Sequence, residues 1–184
     1  VSDSMIKLNT SNTTTAVMHF KEKYGVAANQ KILLFLSRIH PFKGLKLFLK
    51  TVLKIQDQFR KNNWVFLIAG MSELGHEKDL KLFVEENNIS DIVKFIGPQF
   101  DQDKIDAYDS SDCFILPSKG ENFGIAVIEA LSRGLPVIAT ESTPWENLET
   151  ENCGWWIGRN EEDFIKTIID LFSKDKEYLE LMGK

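Results

Sequence analysis

Cysteine is nearly absent from this chain of 184 residues: it has Cys113 and Cys153 and no CxxC pair. That spacing excludes a zinc-ribbon or dithiol redox motif. So few thiols also suit a reducing, cytosolic setting better than a disulfide scaffold. The three histidines, His19, His40 and His76, are scattered and outline no metal cluster. Basic residues are outnumbered, 22 Lys and Arg against 27 Asp and Glu, for a net charge of −5. With no basic block, nucleic acid is excluded as the main partner. No apolar run approaches the roughly 20 residues that span a bilayer. The opening VSDSMIKLNT has neither the basic leader nor the apolar core of a signal peptide. It also lacks an initiating Met and begins mid-pattern, as expected of a piece of a longer protein. No GxGxxG follows a strand, which argues against a nicotinamide or flavin site. Gly70 and Gly75 have P-loop spacing, but His76 stands where that motif requires Lys.

What is present is an ordinary soluble composition, 43% apolar and 27% charged. The length suits one domain that buries about 70% of its unfolded surface. Residues 1–15 are polar and read as a linker, which leaves residues 16–184 as the domain. A short helix is expected over Ala16–Tyr24, closed by Gly25. Strand-length apolar runs then alternate with helical patterns. Strands are expected at Lys31–Ser37, Trp64–Ala69, Val93–Ile96, Asp112–Leu116 and Pro136–Thr140. Helices are expected at Gly44–Arg60, Glu77–Asn88, Gln102–Asp109, Gly124–Arg133, Glu161–Phe172 and Lys176–Met182. Runs such as LLFL and WVFLI are continuously apolar, as parallel strands covered on both faces should be. The fold class is therefore α/β, a doubly wound, Rossmann-like parallel sheet. Ligands of such sheets bind beyond the carboxyl ends of the strands. Here those ends lead into Arg38, Gly70, Gly97, Pro117–Glu121 and Thr140–Thr143.

The most informative stretch is Pro117–Thr140, PSKGENFGIAVIEALSRGLPVIAT, with Glu121 in a loop and Glu129 eight positions later on a helix. Apolar residues surround Glu129, so the helix is expected to be buried on all sides, and its carboxylate then needs a partner or a wet cleft. Arg133 at i+4 offers an intrahelical partner; a diol would offer two hydroxyl donors instead. Arg38 and Lys43 flank a helix start, where cations oppose the macrodipole unless an anion binds. Solvated surface cations are the plainer reading. Together with the helix N-terminus at Gly124 they would form an anion site, and a diphosphate is the natural guest.

The Glu121–Glu129 segment, framed as P-S-x-x-E-x-F-G-x-x-x-x-E-A-x-x-x-G-x-P-V-I-A-T, resembles the donor-site motif of family-4 (group 1) retaining glycosyltransferases with the GT-B fold. Ser37-Arg38-Ile39-His40-Pro41-Phe42-Lys43-Gly44 resembles their diphosphate-binding segment. The two motifs stand in the family's order, and the resemblance covers roughly residues 30–170. It implies the C-terminal, nucleotide-sugar-binding half of a transferase that moves a hexose-type sugar to an acceptor hydroxyl with retention. Arg38 and Lys43 would bind the diphosphate, Glu129 the ribose hydroxyls, and Glu121 would face the sugar as nucleophile or electrostatic stabiliser. An acid placed before a helix N-terminus is the plainer account of Glu121. Phe123, Gly124 and Ile125 would offer backbone N–H groups to the phosphates. Asn122 would cap the helix or meet the sugar, with capping preferred.

By position, Gly97–Phe100, including Gln99, corresponds to the nucleobase loop, although a plain turn explains it equally well. Thr143–Leu148 and Asn152–Trp156 look like bacterial lipopolysaccharide and capsule enzymes, with Trp155 and Trp156 read as core anchors. The resemblance further implies no metal and no cofactor, the nucleoside diphosphate sugar being a substrate. The partners would be that donor, a missing N-terminal acceptor domain, and a saccharide or lipid-linked acceptor. The setting would be cytoplasmic, with the membrane's inner face open to the full-length protein. A non-catalytic module binding a nucleotide or sugar phosphate is the alternative.

Overall fold

The computed structural model describes residues 14–183. Helix α1 covers residues 14–23, so Thr14 and Thr15, expected in a linker, are helical. The rest of the expected linker, residues 1–13, lies outside the described residues. Gly25 takes φ 62° and ends the helix as expected, with Val26 N–H donating back to Lys21 O at 2.8 Å.

Six strands follow: β1 (Lys31–Leu36), β2 (Trp64–Ala69), β3 (Val93–Gly97), β4 (Cys113–Leu116), β5 (Val137–Thr140) and β6 (Gly154–Ile157). They form one parallel sheet in the order β3-β2-β1-β4-β5-β6. β2, β4 and β5 are buried along their whole length, which is why they are apolar without alternation.

The helices are α2 (Leu45–Lys54), α3 (Gln56–Lys61), α4 (His76–Glu86), α5 (Asp101–Asp109), α6 (Ile125–Ser132), α7 (Asn147–Thr150), α8 (Glu161–Ser173) and α9 (Lys176–Met182). The single helix expected over Gly44–Arg60 breaks at Ile55, whose φ −114° and ψ 23° leave the helical region. Its anticipated apolar face survives the break, since Leu45, Phe48, Leu49, Val52, Ile55 and Phe59 are all buried. Phe48 lies edge-on to Phe66 of β2 at 5.0 Å and to Phe164 of α8 at 5.3 Å, so α2 and α8 cover one region of the sheet together. Asn160 caps α8 by accepting from Asp163 N–H at 2.9 Å.

Two differences from expectation concern the second half. The tryptophans read as core anchors lie on a sixth strand and are half-buried there, Trp155 packing against the core as expected. Trp155 Nε1 donates to Asp170 and Trp156 Nε1 to the Thr143 carbonyl. The helix expected to be buried all round, α6, hides only Val127 and Ala130, while Ile125 is 67% and Ile128 38% exposed.

The strand order places the switch point between β1 and β4, because the chain winds outward from β1 in one direction and from β4 in the other. A doubly wound sheet opens its crevice there, beyond the carboxyl ends of those strands. Arg38 follows the end of β1, and Pro117–Glu121 follows the end of β4. The two connections touch at Gly44. It adopts φ 78°, and a Cβ there would lie 1.9 Å from the Pro117 carbonyl oxygen. Only glycine fits that position.

Candidate functional site

After β1 the chain makes a 3-10 turn, Pro41–Lys43, capped by His40 and ended by Gly44. That turn delivers Lys43 to the switch point. There its Nζ meets Glu121 Oε1 at 2.5 Å, both side chains being only 13% exposed. Ser118, fully buried, donates its hydroxyl to the same carboxylate oxygen at 2.7 Å. The Ser118 carbonyl accepts in turn from Thr140 Oγ1 at 2.7 Å. Glu121 is thus held by a relay that starts in β5 and by a cation from the β1 connection. Backbone bonds tighten the same junction, from Lys119 N–H to Phe42 O at 2.8 Å and from Glu121 N–H to Ser142 O at 3.3 Å. Ser118 and Thr140 are named positions of the Glu121–Glu129 motif, but nothing in the sequence showed that they bond to each other and to Glu121.

Arg38 reaches outward. Its guanidinium pairs with Glu73 at 3.0 Å and is 68% exposed. Glu73 is held from the main chain, its N–H donating to Ile39 O at 3.0 Å. Arg38, Lys43, Glu73, Glu121, Asn122 and His40 line one open cleft of about 480 Å³. The sequence assigned Arg38, Lys43, Glu121 and Asn122 to a site, held His40 only as an unassigned member of the Ser37–Gly44 segment, and did not mark Glu73. Both cations are matched by carboxylates here, so an anion entering the cleft competes with Glu121 and Glu73 for them.

The expectation that Asn122 caps the helix is not met. The N-cap of α6 is Gly124 at φ 73°, with no side-chain acceptor for the first amides. Trp145 closes the other side of the turn, its Nε1 donating to the Phe123 carbonyl at 2.9 Å. A Cβ on Gly124 would come within 3.0 Å of that nitrogen. An uncapped helix N-terminus carries free N–H groups and the positive end of the dipole. Phe123 and Ile125 flank it, 58% and 67% exposed.

Glu129 lies four residues beyond Ile125, about 6 Å along the axis at 1.5 Å per residue. The i+4 pair with Arg133 does not form; Arg133 binds Asp109 of α5 instead. Glu129 accepts from Lys104 Nζ at 2.5 Å and from the Tyr108 hydroxyl at 3.0 Å, both on α5. Burial, reinforced by the Glu129 charge, pushes the Tyr108 hydroxyl far above its ordinary pKa. Tyr108 therefore stays a donor, and Glu129 has a fixed partner on each oxygen. Gln99 is buried, and its amide is committed to the Ile96 carbonyl at 2.8 Å and to Tyr24. The side chain of this expected base-loop residue thus ties the end of β3 to the turn that follows α1. Among the described residues, no three His, Cys, Asp or Glu side chains are grouped as a metal site needs. None of the described helices is long and apolar enough to cross a membrane.

A second cavity, about 560 Å³, opens at the opposite edge, where Asp112 and Pro136 lead into β4 and β5. It is larger, but Lys21, Lys176 and Arg133 share it with Asp109, Asp112 and Glu180, and none of the motif residues identified as donor-binding lines it.

Residues 18–184 match the family described as "Glycosyl transferases group 1". A D-inositol 3-phosphate glycosyltransferase of Corynebacterium jeikeium is 29% identical over 136 residues, 72% of this chain and 32% of that protein. The protein of that name from Mycolicibacterium smegmatis is 33% identical over 119 residues, 63% of this chain and 26% of that protein. The chain therefore spans about a third or less of the curated relatives it matches. Among solved structures, Anabaena HepE in complex with UDP and glucose superposes with a TM-score of 0.77 at 21% identity, over 92% of this chain and 45% of that one. The C-terminal domain of LpcC, a group 1 family protein from Francisella tularensis, gives 0.72 at 21% identity, over 89% and 87%. WaaG, titled a glycosyltransferase of lipopolysaccharide biosynthesis, gives 0.76 at 18%, over 91% and 44%.

Proposed function

Because the chain belongs to the group 1 glycosyl transferases, we propose that it is the nucleotide-sugar donor half of a retaining enzyme and that the switch-point cleft takes the donor. The observation that carries this reading is the Lys43–Glu121 ion pair, desolvated and set beside a helix N-terminus that no side chain caps. A diphosphate entering there replaces Glu121 as the partner of Lys43 and gains the first amides of α6. Glu121, freed of its cation but still accepting from Ser118, then faces the sugar. The departing diphosphate is stabilised by Lys43, Arg38 and backbone N–H groups held in place beforehand, with no metal assigned. Glu129 lies about 6 Å further along α6, a spacing that suits a ribose diol attached to that diphosphate. Tyr108 and Lys104 fix its carboxylate while leaving lone pairs for two hydroxyls. The UDP and glucose bound to HepE support a nucleoside diphosphate sugar as the ligand.

The acceptor half lies outside this chain in our reading, with residues 16–184 as the donor domain. The acceptor is a saccharide or a lipid-linked saccharide, and the full protein works in the cytoplasm or at the inner face of the membrane. The likeness to WaaG supports a place in lipopolysaccharide or capsule synthesis. Calorimetric titration of the chain with a panel of nucleoside diphosphates and their sugars tests the donor assignment. One base should bind in preference to the others, and its sugar conjugate should bind with it. A chain that binds none of them does not have this function.

A further inference from the structure

Every charged group in the cleft already has a protein partner: Lys43 has Glu121, and Arg38 has Glu73. Three polar groups among its described lining residues do not, the side-chain amide of Asn122, the Ser142 hydroxyl and Nε2 of His40, and of these only the imidazole is held by a second bond of its own. His40 stands in the segment that resembles a diphosphate-binding motif, but only Arg38 and Lys43 of that segment were given a role there. We infer that His40 is a further ligand-binding residue of the cleft, donating its Nε2–H to a phosphate oxygen of the diphosphate. The inference rests on the donor reading above and adds a contact to it.

The other ring nitrogen fixes which tautomer His40 adopts. Nδ1 accepts the Phe42 backbone N–H at 3.1 Å, so it carries no proton, and the neutral imidazole must carry its one proton on Nε2. The same bond caps the turn that delivers Lys43, with His40 at φ −128° and ψ 147°. The imidazole and the Lys43 ammonium therefore ride on one rigid turn, braced at Gly44 against Pro117. A donor held by its far end and lacking a protein acceptor at its near end is prepared for a ligand acceptor. A phosphate oxygen is the acceptor the cleft is charged for, and hydrogen bonds to ionised oxygens are the stronger kind. Being neutral, the imidazole adds a donor without placing a third cation beside Arg38 and Lys43.

The competing account is that His40 only caps the turn. His40→Asn separates the two, because Asn is among the best side-chain caps but is too short to replace Nε2. The 184-residue chain, His40→Asn and Lys43→Ala should be titrated with inorganic pyrophosphate and with UDP. Melting curves of each should be recorded alongside. His40→Asn should melt with the parent yet bind both ligands about tenfold more weakly, the size of one hydrogen bond to a charged group. Unchanged affinity in His40→Asn with weakened binding in Lys43→Ala overturns the His40 contact and leaves the donor site standing. Unchanged affinity in both variants removes the site itself. Should His40→Asn melt lower, the unmutated chain with 15N-labelled histidine decides. The Nε2 resonance of His40 should move on adding pyrophosphate, and a static resonance rejects the contact.

Discussion

At the scale of single residues, the two cations of the cleft are not equivalent. Lys43 is 13% exposed and shares a desolvated pair, whereas Arg38 is 68% exposed, where ion pairs contribute little. Lys43→Ala should therefore weaken nucleoside diphosphate binding by about 1.5–3 kcal/mol, and Arg38→Ala by less. Titration of the two variants checks the order, and equal losses would reject it. Glu129→Gln keeps the shape but loses charge facing the hydroxyls. Nucleoside diphosphate affinity should fall while pyrophosphate affinity stays, and an equal fall for both would mean that α6 itself is disturbed.

His76 gives a pH test. It is buried with Nε2 unpartnered, and burial holds its pKa below the ordinary 6.5. The unfolded chain thus takes up the proton first as pH falls. Stability from this residue is present above pH 6.5 and is lost progressively below it. In urea unfolding at pH 7 and pH 5, His76→Leu should lose less stability than the parent over that interval. An identical loss would show that His76 does not titrate with folding. The sequence marked His76 only as the residue that spoils a P-loop; its burial depends on neighbours no local pattern names. The same limit explains Glu129, whose expected partner was Arg133 on its own helix. Its true partners, Lys104 and Tyr108, stand on α5, which spacing along α6 cannot reveal.

At the scale of elements, the runs KILLFL, WVFLIA and CFIL were legible as strands because both sides of each are covered. GWWI was not legible, because among the described residues β6 pairs only with β5 and its tryptophans are half-exposed. α6 was legible as a helix but not in its burial, since its composition does not say which side meets the sheet. The turns into α2 and α4 allow a paired experiment on glycine. Gly44 and Gly75 have φ 78° and 69°, but a Cβ on Gly75 would meet nothing within 4 Å, while one on Gly44 would strike Pro117. Gly75→Ala should cost about 1–2 kcal/mol of stability from the left-handed conformation alone. Gly44→Ala should cost more than Gly75→Ala, read from denaturant midpoints. Equal costs would mean that the approach of Gly44 to Pro117 is not tight.

At the scale of the whole molecule, the sheet order brings together two segments nearly eighty residues apart, and Lys43 and Glu121 meet because of it (|i−j| = 78). The motif residues were legible one by one. Their mutual neutralisation was not, because it depends on the turn at Gly44 and the relay through Ser118 and Thr140. In a protein that joins this chain to its acceptor half, Glu121→Gln should lower kcat strongly without weakening nucleoside diphosphate binding, since the diphosphate then displaces no carboxylate from Lys43. That split marks an interaction made in the transition state. Unaltered turnover would favour a module that only binds.

The central claim is that the donor diphosphate occupies the cleft at the switch point, and a crystal structure of the chain with a nucleoside diphosphate tests it most directly. The account predicts the diphosphate between Lys43 and the first amides of α6, with the Lys43–Glu121 contact exchanged for a phosphate oxygen and the ribose at Glu129. A nucleotide lodged in the larger cavity beside Asp112 and Pro136, with the Lys43–Glu121 pair intact, would contradict it.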